Sequence, residues 1–551
     1  MKRLRSRYII LLSSLLTLII TLRFISLGSL SLIDPSEGRY ALISKLMLET
    51  GNFLMPQVVG HDGVMIEFWG KPPLFFWATA LSYYIFGINE FSARIPSFLS
   101  MLAVIGSCFF FARHFWGSIT AILTALILSS SVLFYIYGGL CQVDMLLTTS
   151  VSIAMLGFAR YVDAKARARS YRWWGCLFFI SLAVGFIVKG PIAVVLPGVS
   201  VVLWTLWTRR WSDFFRLPYF TGGLIFLLIT TPWFYFAEQK SPGFLYYFFF
   251  QENILRYATN QYGDKYGTAH PIFYGASWLF VGLAFFPWTF YILADAWNRC
   301  RNSSTSSRCT LNWTDKLALC WGITPPLFFC FSNGLLIGYM LPALPGLALY
   351  LSRRFSRKDL TAVLRLPKLT LTLNIAIIRI LCVTTVTVFL AALGFYISVE
   401  PFKENFSLVA AVIVCSILVI FVVNQTLSHP RHFVEKLTLC TVMAVSSATF
   451  SISGYLSDSS STTELLTRLV EQNTGRHLNF PFGIPYSAFV YSPLKLESDL
   501  AEAVDSDDNE REIVAIPKKK LSTLEEQLAL SDDHDLIQSF RTPNWIVYHK
   551  N

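Results

Sequence analysis

Apolar runs long enough to cross a bilayer recur from the N-terminus to about residue 455, separated by short polar connections. Each crossing needs roughly 20 mostly apolar residues in a helix, because lipid cannot hydrogen-bond a free backbone N–H or C=O. Such runs lie near 8–30, 96–112, 118–137, 143–160, 173–188, 190–207, 219–237, 272–294, 315–331, 334–351, 377–397, 407–424 and 435–455. They predict an α-helical polytopic membrane protein with about 13 transmembrane helices. Composition agrees. Only 14% of the 551 residues are charged, against roughly 25% in soluble domains.

The chain opens with Lys2, Arg3, Arg5 and Arg7 ahead of its first apolar run, as a signal peptide would. That run extends over 8–32 without a small-x-small cleavage pattern, so an uncleaved first span is expected.

The formal net charge of +11 raises the question of nucleic acid. The basic residues, however, sit in short clusters between apolar runs rather than on one soluble face, which argues against nucleic-acid binding. The clusters at 160–172, 208–216, 299–308, 353–358 and 429–436 fall on one side of the membrane if segment 74–87 does not cross. Positive loops stay in the cytoplasm. The expectation is therefore a multi-pass protein of the cytoplasmic (inner) membrane with a cytoplasmic N-terminus and an interfacial helix at 74–87. Residues 1–455 form the membrane part, with 31–95 as its first extracytoplasmic loop. Residues 456–551, polar and acidic around 502–512, form a small C-terminal α+β extracytoplasmic domain.

Most of the ten cysteines lie in apolar runs and no CxxC occurs, so a disulfide framework or a zinc finger is not indicated.

Ionisable residues near a membrane face are costly and suggest function. On the outer side stand Asp34, Glu37, Arg39 and Tyr40 in the first loop, and Lys71 before a Pro-Pro pair. Asp144 begins a span; Lys189-Gly190-Pro191 interrupts another; Glu252, Asn253, Arg256 and His270 occupy a later loop; and Tyr339 opens a kinked Tyr-Met-Leu-Pro segment. Each has an ordinary explanation. Asp34 or Ser36 can cap a helix, Asp144 can favour a helix N-terminus, Lys189 can snorkel, and Glu252 with Arg256 is an i,i+4 ion pair. Their shared side of the membrane is the stronger signal, because the charge-derived topology did not use them.

The ordered set resembles the GT-C glycosyltransferases related to 4-amino-4-deoxy-L-arabinose lipid A transferases and protein O-mannosyltransferases. It runs through Glu37-Gly38-Arg39-Tyr40-Ala41, the segment 47–56, Lys71-Pro72-Pro73-Leu74 with Trp77, and Phe86-Gly87. It continues with Arg94-Ile95-Pro96, Val143-Asp144-Met145, Lys189-Gly190-Pro191, Glu252-Asn253 with Arg256, His270, Pro287-Trp288, and Tyr339 with Leu341-Pro342. The resemblance implies a GT-C type fold, an active site in the outer loops and a polyprenyl-phosphate-linked sugar as donor. It implies a lipid A-type acceptor, with a protein hydroxyl second. It places catalytic roles on Glu37 or Asp34, Asp144 and Lys71, and donor binding on Arg39, Tyr40, Lys189, Glu252, Asn253, Arg256 and Tyr339.

Two departures stand out. The usual acid pair before Gly-Arg-Tyr is Ser36-Glu37 here, with Asp34 two residues earlier, so the key carboxylate is open between Glu37 and Asp34. Gly70 stands where metal-binding members carry Glu, with Glu67 nearby, and Asn333 and Leu335 stand where a lysine is common. No metal and no other cofactor is expected. The competing function is a lipid-linked sugar transporter or flippase, whose signs are inverted repeats and polar groups at the bilayer midplane. The polar groups here gather at one face instead.

Overall fold

The computed structural model describes residues 2–59, 65–258, 272–301, 311–332 and 334–357, and the shorter stretches 478–479, 486–491, 496–497, 513–517, 536–541 and 545–550. Five helices in it are long and apolar enough to span a bilayer: Ile9–Gly28, Glu90–Trp116, Val143–Ala166, Arg172–Lys189 and Tyr219–Lys240. The pair Ala276–Ala284 and Thr289–Trp297, bent by 117° at its break, makes a sixth if counted as one span. Helix Leu74–Phe86 has 13 residues, about 20 Å of rise against a hydrocarbon core of about 30 Å.

Several boundaries differ from the sequence reading for local reasons. The span expected at 96–112 begins at Glu90, because the Asn89 side chain accepts the Ser92 N–H at 2.9 Å and caps the helix there. The span expected at 118–137 is two helices, Ser118–Ser129 and Val132–Tyr137. Ser129, Ser130 and Ser131 all donate their hydroxyls to the preceding turn, and Ser131 then turns extended. The span expected at 334–351 opens as a 3-10 turn, Ile337–Ala343, around Pro342, before becoming helix Leu344–Arg357. The spans expected at 377–397, 407–424 and 435–455 lie outside the described residues.

The chain divides into two units. The first is Met1–Ser26, Trp69–Pro72 and Pro96–Thr449; the second is Leu27–Phe68, Pro73–Ile95 and Phe450–Asn551. In the first unit, helix Val143–Ala166 packs along Arg172–Lys189, and helix Trp313–Phe329 packs against Ile192–Thr208 and Leu344–Arg357. The last contact is backbone-close. A Cβ on Gly346 would lie 2.6 Å from the Ala318 carbonyl oxygen and 2.6 Å from the Gly322 nitrogen, so only glycine fits. Small residues give this approach between helices in lipid, where apolar burial alone does not drive association. Indole donors tie the ends: Trp204 Nε1 donates to the Trp313 carbonyl at 2.9 Å, and Trp321 Nε1 to that of Pro342 at 2.8 Å.

In the second unit, helix Ser36–Thr50 packs on Leu74–Phe86 and on the short helix Tyr486–Tyr491. A two-stranded hairpin pairs Gln57–Val59 with Met65–Glu67, Val58 opposite Ile66. A five-stranded mixed sheet has the order 496–497, 478–479, 513–517, 545–550, 536–541. The first two ladders are parallel and the last two antiparallel, with Ile513 opposite His549.

Candidate active site

The first unit gathers seven of the residues singled out from the sequence. Glu252 lies on a π-helical turn, Tyr247–Leu255, a rare geometry that frequently marks functional positions. Its side chain is 3% exposed, and its Oε1 accepts both the Lys71 ammonium at 2.5 Å and Arg256 Nη1 at 2.8 Å. Its second oxygen is buried without a hydrogen-bond partner among the described residues. Lys71 also donates to the Gly70 carbonyl at 2.6 Å. Burial depresses the Lys71 ammonium below the ordinary lysine range; Glu252 opposes that shift, while Arg256 and Lys189 add to it.

Lys189 ends its helix and donates to Asp144, the second residue of helix Val143–Ala166. Its ammonium also stands 4.2 Å from the ring centroid of Tyr339, close enough for cation–π attraction. Asn253 donates its side-chain amide to the Phe248 carbonyl at 2.7 Å. Lys71, Lys189, Glu252, Asn253, Arg256 and Tyr339 all line one cavity of roughly 460 Å³. Asp144 reaches it through Lys189. The rest of the wall is mostly apolar, with Leu147, Val195, Phe249, Ile254 and Phe328 among its members. Among the described residues, Lys71 and Arg256 meet on Glu252, and Lys189 meets Asp144. A small anionic headgroup carrying a long hydrocarbon tail matches such a wall: fixed cations hold the charge and apolar side chains accept the tail.

The second unit holds the other four. Glu37 is 2% exposed and Arg94 1%. Arg94 Nε donates to Glu37 Oε1 at 2.8 Å and its Nη2 to Oε2 at 2.9 Å. The same guanidinium donates to the carbonyls of Leu27 at 2.8 Å, Leu30 at 2.5 Å and Ser31 at 3.0 Å, and Glu37 Oε2 also accepts the Ile33 N–H at 3.0 Å. Glu37 therefore anchors the bend from Leu27 to Ile33, the position of a structural carboxylate. Tyr40 is buried, with its ring edge-on to Phe68, Phe75 and Phe76, the position of a core residue. Arg39 is half-buried over the rings of Tyr40, Phe68 and Tyr486.

Asp34 is placed differently. Both its oxygens accept the backbone N–H of Ser487, at 3.1 and 3.3 Å, and Oδ2 also accepts the Ser487 hydroxyl. Burial pushes the Asp34 carboxyl up to about 7; the Ser487 donors pull it down and the neighbouring Glu37 adds to the rise.

Sequence reasoning missed two partners. Arg94 stands in the sequence only as part of a motif, although an arginine at the start of an apolar helix asks for a buried acid. Ser487 carries no sequence signal; a serine 453 residues from Asp34 is legible only in the fold. Among the described residues, no three His, Cys, Asp or Glu side chains gather as a metal site. Glu67 ends a hairpin strand and His270 lies outside the described residues.

Comparison with known proteins points one way. The family described as dolichyl-phosphate-mannose-protein mannosyltransferase matches residues 5–248. Undecaprenyl phosphate-alpha-4-amino-4-deoxy-L-arabinose arabinosyl transferase of Erwinia tasmaniensis is 29% identical over 326 residues, covering 58% of this chain and 54% of that protein. Its namesake in Pectobacterium atrosepticum is 29% identical over 408 residues, covering 73% of this chain and 67% of the relative. The chain thus spans little more than half the length of several curated relatives, 54% and 58% of two of them. The crystal structure of ArnT from Cupriavidus metallidurans bound to undecaprenyl phosphate superimposes with a TM-score of 0.73 at 20% identity, covering 98% of this chain and 97% of that one. The same protein in the apo state gives a TM-score of 0.74. The fold is the helical GT-C fold, and in sequence the chain resembles the aminoarabinose lipid A transferases.

Proposed function

We propose that this chain is a glycosyltransferase that moves a sugar from a polyprenyl-phosphate donor to a lipid A-type acceptor at the outer face of the cytoplasmic membrane. The observation that carries this reading is the cation cluster at one apolar cavity. Lys71 and Arg256 meet on Glu252, and Lys189 stands on Tyr339 in the same wall. The names of the relatives favour undecaprenyl as the lipid and a pentose, 4-amino-4-deoxy-L-arabinose, as the sugar; the mannose in the family description makes a hexose the alternative. A protein hydroxyl is the second acceptor, on the description of the family that matches residues 5–248.

A sugar linked through phosphate already carries a leaving group, so the protein's work is positioning and charge stabilisation. The acceptor oxygen attacks the anomeric carbon as the bond from that carbon to the donor phosphate oxygen breaks. The electron pair leaves with the phosphate, and Lys71, Arg256 and Lys189 hold the charge that develops there. Glu252 keeps Lys71 and Arg256 together before the donor arrives. A phosphate acceptor is already an anion and needs no base, and Asp34 then orients the reacting groups. A hydroxyl acceptor gives its proton to Asp34, whose elevated value near 7 suits a base working at neutral pH. Asp34 is preferred over Glu37 because Arg94 occupies both Glu37 oxygens.

The membrane arrangement belongs to the same reading: about 13 spans, the N-terminus in the cytoplasm, and residues 456–551 as an outer domain, supported by the basic clusters of the connecting loops. The test supplies the purified protein in proteoliposomes with undecaprenyl-phosphate-linked aminoarabinose and lipid A. Sugar-bearing lipid A together with released undecaprenyl phosphate is the expected result. Movement of intact donor across the bilayer with no sugar transfer would overturn it in favour of a flippase.

A further inference from the structure

We infer that Ser487, from the C-terminal segment, is a positioning residue for the Asp34 carboxylate and so a working part of the active site. The inference rests on the reading that ionised Asp34 serves the transfer reaction.

The contact is a built one. Ser487 is fully buried, and it donates two groups to one carboxylate: its N–H, at 3.1 Å to Oδ1 and 3.3 Å to Oδ2, and its hydroxyl, to Oδ2. The space between them exists only because residue 38 is glycine. A Cβ there would lie 2.2 Å from Asp34 Oδ1 and 3.0 Å from the Ser487 nitrogen. The segment carrying Ser487 is tied to the same helix at two further points. Lys45 Nζ donates to the Val490 carbonyl at 3.2 Å, and the Arg39 guanidinium stands 5.8 Å from the Tyr486 ring centroid. Tyr486 and Val490 are buried in that contact.

Two donors aimed at a half-buried carboxylate stabilise its charged form and fix the direction of its remaining lone pairs. Among the described residues, charged or titratable groups lie on each element packed here. Glu37, Arg39 and Lys45 lie on the helix that follows Asp34, Arg94 lies on helix Glu90–Trp116, and Tyr486 lies on the short helix Tyr486–Tyr491. Arg94 is committed to Glu37, and Glu37 itself disfavours ionisation of Asp34. Ser487 opposes burial there: the Asp34 carboxyl stands at about 7 because burial lifts it further than both Ser487 bonds draw it down.

The test is the pH dependence of transfer from undecaprenyl-phosphate-linked aminoarabinose to lipid A by the full-length protein in proteoliposomes. Wild type is compared with S487A, S487C and D34N. Loss of the hydroxyl donor from S487A moves the acid limb of the profile up by about one to two pH units, the equivalent of one hydrogen bond to a charged group. S487C, close to serine in size and a weaker donor, falls between wild type and S487A. A merely structural role lowers the rate at every pH and leaves the limb in place. An unmoved limb in whichever of S487A and S487C folds, with D34N inactive, overturns the role of Ser487 alone. Wild-type activity in D34N overturns the reading of Asp34 and the inference with it.

Discussion

The Lys71 ammonium sits 2.5 Å from Glu252 Oε1, although 181 residues separate the two in sequence and the carboxylate is 3% exposed. A buried cation and a buried acid each cost several kcal/mol to desolvate, and the pair offsets this only with close geometry and further bonds. Here Arg256 supplies a second bond to the same oxygen, and the other Glu252 oxygen lacks a partner among the described residues. A buried ion pair of this kind is weak evidence of net stabilisation.

Glu252 raises the pKa of Lys71 against the burial that lowers it. Replacing it, Glu252→Gln, removes that support, so the ammonium is lost at lower pH. The alkaline limb of the activity profile is expected to move to lower pH, with the largest loss of rate on that limb. A limb that stays in place or moves up contradicts the assignment of Lys71 as the cation that must be charged.

Arg94 and Glu37 form a two-bond ion pair in the protein interior, and Arg94 also holds three backbone carbonyls. Removing one partner of such a pair costs about 3–5 kcal/mol. Arg94→Ala should therefore lower the thermal midpoint of the detergent-solubilised protein well below that of wild type, and Arg94→Lys, which cannot make the paired bonds, should lower it less. Unchanged melting in Arg94→Ala would show that the pair is not structural.

How much of this was readable beforehand differs between the two sets of residues. The cations and acids of the cavity are visible in the sequence as charges out of place beside apolar runs, and the charge rule predicts one side of the membrane for them. Their pairing was less visible: Glu252 looks like the helical partner of Arg256, and only the fold brings Lys71 to it. Asp34 and Glu37 could not be separated from sequence, because both are carboxylates within one turn of a helix start. Their surroundings differ only in the fold, where Arg94 takes both oxygens of Glu37 and Ser487 donates to Asp34. The helix ends were blurred for a related reason. Hydropathy sees side chains, whereas the break after Ser129 is made by hydroxyls bonding back to the backbone.

Gly38 has no room for a side chain beside Asp34 and Ser487. Gly38→Ala is expected to separate that pair, reducing transfer at least about tenfold, since one displaced bond to a charged group is worth roughly 1.5–3 kcal/mol. Expression and melting should change far less than in Arg94→Ala. Full activity in Gly38→Ala would show that the contact is dispensable.

The Tyr339 ring beneath Lys189 contributes cation–π attraction of about 0.5–2 kcal/mol. Tyr339→Leu is expected to lower kcat/KM by about 2- to 30-fold, and Tyr339→Phe, which keeps the ring, to retain most of it. Equal loss in both variants would move the contribution from the ring to the hydroxyl.

The most direct measurement is the rate of sugar transfer from undecaprenyl-phosphate-linked aminoarabinose to lipid A in proteoliposomes by Lys71→Ala beside wild type. Removing one preorganised group from a developing negative charge costs on the order of 10²–10³ in rate. A loss of that size, in protein that reaches the membrane and melts like wild type, is the predicted result. Transfer by Lys71→Ala at the wild-type rate would contradict the account at its centre.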